Sequence, residues 1–384
     1  MKNFILPVLL LGTIACNAQN KNNVKSAAQE VAGEHDAQKK EKDLSNRFFN
    51  ANLELDKEVD RLYQSMNFQE RAAQMIMVAS SEKLGFSYLK SVKPEVNKHL
   101  AANVLFLKGT KNDFVKQQKE LSSNKIEGLK PLFACDCEPT LLHNKFTGEP
   151  KMLPTASLKT AEAVIASVDT INNLMDEMGI VVNFAPILDI AANKAIINKR
   201  AFSDNPEKIK TLSSVFIKAT QMDGKAATVK HFPGHGAVIG DTHKQSVSIN
   251  GVMTELPTFE AIIKKEHPVF VMVGHISVKN NPNGYNTEEG RPATTSKKII
   301  TNLLREKIGF KGIITTDAMN MQASKNFPNA DWEAAKAGAD LILMPLNVGT
   351  LNRKIAEEIE KQTPLGKQFE ASVKRIIRLK LLVQ

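Results

Sequence analysis

Gly312-Ile-Ile-Thr-Thr316, followed at once by Asp317, decides the fold: a short, continuously apolar and β-branched run that ends on an ionisable residue. A strand buried on both faces reads this way, without the polar alternation of a half-solvated one. Further runs of the same kind lie at Gln74–Val78, Val104–Leu107, Pro131–Cys135, Ile180–Pro186, Ala227–Lys230, Val269–Val273 and Asp340–Met344. Helical patterns separate most of them, over Lys159–Met178, Pro206–Met222, Leu256–Glu266, Lys297–Ile308, Trp332–Ala337 and Leu351–Lys361. Eight buried strands alternating with helices predict an α/β fold, a (β/α)8 TIM-type barrel forming a single domain. A doubly wound sheet is the competing architecture, but its Gly-rich fingerprint after the first strand is missing. The ionisable residues favour the barrel too. Asp136, Asp189, Lys230 with His231, His275 and Asp317 fall at the carboxyl ends of predicted strands, and a barrel gathers those ends on one face.

The chain has 384 residues, 42% hydrophobic and 24% charged, which excludes collagen-like, coiled-coil and wholly disordered classes. Its formal charge of +10 comes from scattered lysines with no RNA-binding signature or basic helix-turn-helix, so nucleic acid is not an expected partner. At the amino end, Lys2, the apolar run Phe4–Leu11 and Gly12-Thr-Ile-Ala-Cys16 read as an export signal, too short to span a membrane. Small residues followed by Cys16 resemble a bacterial lipobox, in which the cysteine is lipidated; cleavage before Gln19 is the rival. The expected destination is the cell envelope, as a periplasmic or outer-membrane lipoprotein. Residues 1–16 form the signal and lipobox region, 17–41 a polar, disordered tether, and 42–384 the barrel domain, entered through one amphipathic helix over Leu44–Met66. Cys135 and Cys137 flank Asp136 without the second pair of a zinc site, and are expected to be small buried residues, not a disulfide framework.

The densest chemistry lies in Lys230-His-Phe-Pro-Gly-His-Gly-Ala-Val-Ile-Gly-Asp-Thr-His243, which packs three histidines, a lysine and an aspartate into a turn-rich loop. His231, His235 and His243 are conceivable metal ligands, but no His-Glu-x-x-His spacing supports that reading. Acid–base chemistry is the other reading, in which Asp241 orients the His243 imidazole and raises its basicity.

This loop, from Lys230-His-Phe-Pro-Gly-His-Gly to Asp241-Thr-His243, resembles the signature of family 3 glycoside hydrolases, in their β-N-acetylglucosaminidase branch. Asn183-Phe-Ala-Pro-Ile-Leu-Asp189, Arg200-Ala-Phe-Ser-Asp204, Leu303–Phe310 and Thr316-Asp-Ala-Met-Asn-Met321 extend the resemblance from about Leu55 to the end of the chain. It implies a barrel in which Asp317 is the nucleophile, His243 held by Asp241 is the acid and base, and Asp136, Arg200, Lys230 and His231 grip the terminal sugar. It further implies a retaining exo-β-N-acetylglucosaminidase acting on amino-sugar glycans, with peptidoglycan fragments (muropeptides) as substrate and no metal or organic cofactor. The membrane enters only through the lipid anchor. A related β-glycosidase or β-glycoside phosphorylase is the alternative among enzymes, and a catalytically weak sugar-binding lipoprotein the alternative outside them. From the residues alone, Asp317 would also suit a helix N-cap. Asp189 and His275 read as supporting groups. The sequence departs from the family where Asp136-Cys-Glu-Pro-Thr replaces the usual Glu-Gly-Gly and arginine after the third-strand aspartate, which leaves the pocket wall undefined. Glu138 is the fallback acid should His243 not serve.

Overall fold

The computed structural model describes residues 42–384 apart from 195, 239, 243, 245 and 289. Eight parallel strands form the predicted barrel: β1 Ile76–Ser80, β2 Asn103–Phe106, β3 Leu132–Cys135, β4 Val182–Asn183, β5 Ala226–Phe232, β6 Phe270–Val273, β7 Ile313–Thr316 and β8 Ile342–Leu343. They neighbour one another in the order β7-β6-β5-β4-β3-β2-β1-β8. The ring closes through a parallel bridge between Thr315 and Leu341, with Thr316 N donating to Leu341 O at 3.1 Å. Side chains complete this closure. The Thr316 hydroxyl accepts from Leu343 N at 3.0 Å, and the Asp340 carboxylate accepts from Ile314 N at 2.7 Å while pairing with Arg305 and Arg375.

Every residue of the eight barrel strands is buried, as their unbroken apolar runs require. Alternate residues serve different layers, since successive side chains of a strand point to opposite faces. Met77 and Ala79 of β1 join Leu105, Val182, Met272 and Leu343 inside the barrel, whereas Ile76 and Val78 join the layer beneath the helices, with Phe216, Phe259 and Phe369.

The helices Pro206–Met222 and Leu256–Glu266 have the limits expected from sequence. At the first, the Asn205 side chain accepts from Glu207 N and Lys208 N with Pro206 at the first helical position, a start signal that leaves little latitude. The expected single helix over Leu44–Met66 is instead two, Leu44–Phe49 and Leu53–Ser65. Asn50 turns extended, and the Asn52 side chain caps the second helix by accepting from Leu55 N at 3.1 Å. Apolar periodicity runs through this break because both helices bury one face; the asparagines decide where it falls. Leu44 and Phe48 of the first helix pack into the cluster that fills the barrel interior, alongside Ile376 and Leu379 of the last helix, Pro364–Val383.

Asp136 follows β3, Lys230 and His231 lie near the end of β5, His275 lies just past β6 and Asp317 follows β7. Asp189 joins the same rim through an extension of β4, where Ile187 pairs with Lys230 and Leu188 N donates to Lys230 O at 2.7 Å. An outer pair of parallel strands, Val247–Asn250 and Ile276–Lys279, ties the segment after the histidine loop to the segment after β6.

Candidate active site

The rim encloses a cavity of about 430 Å³ whose polar lining includes Asp136, Lys145, Arg200, Lys230, His231 and Asp317. At one side an ion-pair network takes up most of the polar groups. The Lys230 ammonium, almost wholly buried, lies 2.5 Å from Asp136 Oδ1 and 2.7 Å from Glu138 Oε1. Arg200 grips Glu138 with both arms of its fork, Nε to Oε2 at 2.8 Å and Nη2 to Oε1 at 2.6 Å, and Lys145 reaches Asp136 Oδ2 at 3.1 Å. Burial alone would raise the Asp136 and Glu138 carboxyls. The charges of Lys230, Lys145 and Arg200 outweigh it at Asp136, and those of Arg200 and Lys230 at Glu138, so both are held well below the usual carboxylate range. Glu138 is therefore ionised and already occupied, which removes it as a proton donor.

The two cysteines are fully buried as expected, but the expectation that they form no disulfide is overturned. Cys135 and Cys137 form a disulfide across Asp136. A pair spaced for neither a zinc site nor a long-range framework gave no sequence signal, but the two Cα atoms, 5.4 Å apart, are within the span of a disulfide. The bond brackets the one residue of this turn that faces the cavity.

On the next strands, Asp189 is fully buried and organises the histidines. Its Oδ2 lies 2.6 Å from His231 Nδ1, and its carboxylate accepts from the backbone of His231 at 3.2 Å and of His235 at 2.8 Å. His231 therefore donates from Nδ1 and keeps Nε2 for a ligand. Burial pushes the His235 imidazole down, only partly countered by Asp189. The side chain of Asn193 holds the same loop by donating to His235 O at 3.3 Å and Gly240 O at 3.0 Å. Beneath it lies Glu255, whose Oε1 accepts from Ile190 N at 2.8 Å and Gly236 N at 3.1 Å and whose Oε2 accepts from Ala237 N at 3.1 Å. Burial and the charge of Asp189 push the Glu255 carboxyl up to about 8. Glycine is required for this approach: a Cβ on Gly236 would stand 2.2 Å from Ile190 O, and one on Gly234 2.5 Å from Glu255 Oε2.

Asp317 stands at the end of β7, where its backbone N–H donates to Val273 O and its Oδ1 accepts from Ala318 N at 2.8 Å. It caps no helix, since the next one begins at Gln322. His275 braces this turn, with Nε2 3.0 Å from Ala318 O and Nδ1 2.8 Å from the Thr294 hydroxyl. Asp241 and Thr242 carry the histidine loop over the same turn, where Thr242 O accepts from Ala323 N at 3.2 Å. His243 and Cys16 lie outside the described residues. Among the described residues no cluster of His, Cys, Asp and Glu has a metal-holding arrangement, and no helix is long and apolar enough to cross a membrane.

The structure thus brings Asp136, Arg200, Lys230, His231 and Asp317 to one cavity. Sequence reasoning missed Lys145 and Glu255. A lysine on the short helix Leu142–Lys145 and a glutamate just before the helix Leu256–Glu266 carry no pattern that announces a long-range partner.

A closed parallel barrel with ionised carboxylates, cations and imidazoles converging on a sugar-sized cavity at its carboxyl face defines the class of barrel enzymes. The chain belongs more narrowly to glycosyl hydrolase family 3: residues 67–379 match the model of the "Glycosyl hydrolase family 3 N terminal domain". Among curated relatives, the beta-hexosaminidase A of Pseudoalteromonas piscicida is 33% identical over 230 residues, 54% of this chain and 38% of that protein. The beta-hexosaminidase of Tolumonas auensis is 33% identical over 169 residues, 42% of this chain and 48% of its own. The chain thus spans half or less of the length of these relatives. Among solved structures, the β-N-acetylhexosaminidase of Beutenbergia cavernae superposes with a TM-score of 0.72 at 19% identity, covering 82% of this chain and 99% of that one. A family 3 β-N-acetylglucosaminidase from Paenibacillus superposes at 0.71 with 25% identity, covering 83% and 63%. The β-glucoside phosphorylase BglX superposes at 0.78 with 21% identity, covering 89% and 63%.

Proposed function

We propose that the protein is a retaining exo-β-N-acetylglucosaminidase that releases terminal N-acetylglucosamine, with peptidoglycan fragments as its substrate. The observation that carries this reading is that Asp317 lines one small cavity with Arg200 and the paired Asp136 and Lys230. In the first step the Asp317 carboxylate attacks the anomeric carbon. The bond to the leaving oxygen breaks as His243 gives that oxygen a proton, and a glycosyl ester forms. In the second, His243 takes a proton from water, the water oxygen attacks the anomeric carbon, and Asp317 departs as a carboxylate. An imidazole needs little tuning to give and retake a proton near neutral pH, and Asp241 stabilises its charged form. Asp136, Arg200, Lys230 and His231 hold the sugar hydroxyls by charge-assisted hydrogen bonds.

A chromogenic panel of β-linked sugars, run with and without phosphate, tests substrate and acceptor together. Preference for the N-acetylglucosaminide with free sugar as product is expected; a glycosyl phosphate would replace hydrolysis by phosphorolysis. A mechanism-based fluorosugar should label Asp317, and Asp317→Asn should bind sugar without turnover. Labelling elsewhere would reassign the nucleophile. We further propose export and lipid anchoring through Cys16. The signal-like residues 1–16 support it, as does a disulfide, which persists in oxidising compartments. Cys16→Ser should leave the protein unprocessed or release it from membranes; recovery of wild-type protein as a soluble form beginning at Gln19 would refute the anchor.

A further inference from the structure

Two side chains fasten the histidine loop to the connection that follows β4. Glu255 spans both segments: its Oε1 accepts from Ile190 N at 2.8 Å and from Gly236 N at 3.1 Å, and its Oε2 from Ala237 N at 3.1 Å. Asn193, on the same connection as Ile190, donates from Nδ2 to Gly240 O at 3.0 Å and to His235 O at 3.3 Å. Glu255 is 3% and Asn193 4% exposed, so water does not compete for these bonds. Gly236 lets the segments meet, since a Cβ there would stand 2.6 Å from Glu255 Oε1 and closer still to the Ile190 backbone.

The segments joined in this way carry different parts of the site. The connection after β4 bears Arg200, which lines the cavity and grips Glu138. The loop bears Asp241 directly after Gly240, with His243 next but one in sequence. Ala237 and Gly240 are thus the points at which the β4 side fixes the chain ahead of Asp241. Farther along, Thr242 O accepts from Ala323 N at 3.2 Å, and the chain then enters the outer strand pair at Val247. Neither Glu255 nor Asn193 lines the cavity, so their influence on turnover passes through the loop.

We propose that Glu255 and Asn193 are positioning residues, which clasp the histidine loop to the Arg200-bearing connection so that sugar and acid are set against one frame. The inference rests on the reading of His243 as acid. A proton donor works only within hydrogen-bond reach of the leaving oxygen, and a displacement of about 1 Å can cost on the order of 10²-fold. Ionised or protonated, both oxygens of Glu255 keep a lone pair for an N–H. The amide nitrogen of glutamine has none, so Glu255→Gln turns a donor toward Ala237 N or toward Ile190 N and Gly236 N, and opens the clasp in either orientation. Asn193→Ala opens the other half by removing the donor to Gly240 O.

The test measures kcat/KM, which reports the glycosylation step, for aryl β-N-acetylglucosaminides from 2,4-dinitrophenyl to phenyl. The enzymes are the wild type, Glu255→Gln, Asn193→Ala, and each of these variants combined with His243→Ala. Thermal melts establish folding, and where one clasp variant fails to fold the other carries the test. Phenol needs a proton to depart and dinitrophenol does not. In each clasp variant the phenyl-to-dinitrophenyl ratio should therefore fall about tenfold, whereas in the His243→Ala background the same substitution should leave the ratio unchanged, because no acid remains to be misplaced. A loss equal across the series would show general support of the fold, and a ratio that falls as far without His243 would put the effect elsewhere; either result overturns the clasp and leaves the glycosidase reading intact. If His243→Ala alone leaves the ratio at its wild-type value, His243 is not the acid, and that part of the parent reading falls together with this inference.

Discussion

Replacing Glu138 by leucine tests whether the pocket wall is held by charge or by shape. Glu138 is 2% exposed and accepts both arms of Arg200 as well as the ammonium of Lys230. Without it Lys230 keeps Asp136, but Arg200 loses its carboxylate partner and retains the bond from Nη1 to Ile196 O at 3.1 Å. Breaking a buried pair from one side leaves an uncompensated charge and costs roughly 3–5 kcal/mol, a large part of a total stability of about 5–15 kcal/mol. Glu138→Gln keeps the volume and one acceptor, and should cost about 1.5–3 kcal/mol. The double variant Glu138→Leu, Arg200→Met removes both charges and should regain part of the loss of the single leucine variant. Urea unfolding followed by far-ultraviolet circular dichroism gives these three values and that of Arg200→Met alone. If Glu138→Leu lies within about 0.5 kcal/mol of wild type, or the double variant is worse than the two single losses added together, the network is not a desolvated ion-pair system and the argument fails.

His243→Ala should slow glycosides with poor leaving groups severely and activated aryl glycosides much less, with azide rescuing deglycosylation; equal losses and no rescue would remove His243 as the acid. Glu255→Gln should flatten the pH dependence of stability. The folded carboxyl keeps its proton up to about 8 against an ordinary 4.5, so it binds more protons than the unfolded chain in that window and stability falls as pH rises through it. The limiting slope is about 1.4 kcal/mol per pH unit, measurable in melts at a series of pH values, and an unchanged slope in the variant would place the titration elsewhere. Cys137→Ser opens the bracket around Asp136 and should raise KM several-fold with less change in kcat; a KM equal to wild type would show that Lys230 and Lys145 alone position the carboxylate.

The barrel was legible because each strand is buried on both faces, so Gly312–Thr316 and its counterparts stand out as unbroken apolar runs. The cavity residues were legible for a related reason: a strand that ends on Asp317 or on Lys230-His231 interrupts apolar sequence with charge at the rim. What escaped depends on tertiary approach. Glu255 is found only when Gly236 is seen to fold onto it, and Lys145 only when its helix turns back toward Asp136. The helix break at Asn50–Asn52 escaped because hydrophobic periodicity reports the buried face and is silent on capping.

The closure of the ring between β7 and β8 has a kinetic consequence. Between β6 and β7 the amide ladder stays in register over four pairs. At the seam the backbone bonds are unevenly spaced, Ile314 O accepting from both Asp340 N and Leu341 N, and a threonine hydroxyl and the Asp340 carboxylate take further amides. Two amides of this seam, Leu343 N and Ile314 N, bond to side chains instead of backbone, so their hydrogens exchange with solvent when a side chain turns away, without the strands parting. Asp317 sits on this seam, beside Leu343 in the cavity lining. A ligand that touches both would brace the seam from inside, and occupancy of the cavity would be read out as slowed exchange at these two side-chain-held amides.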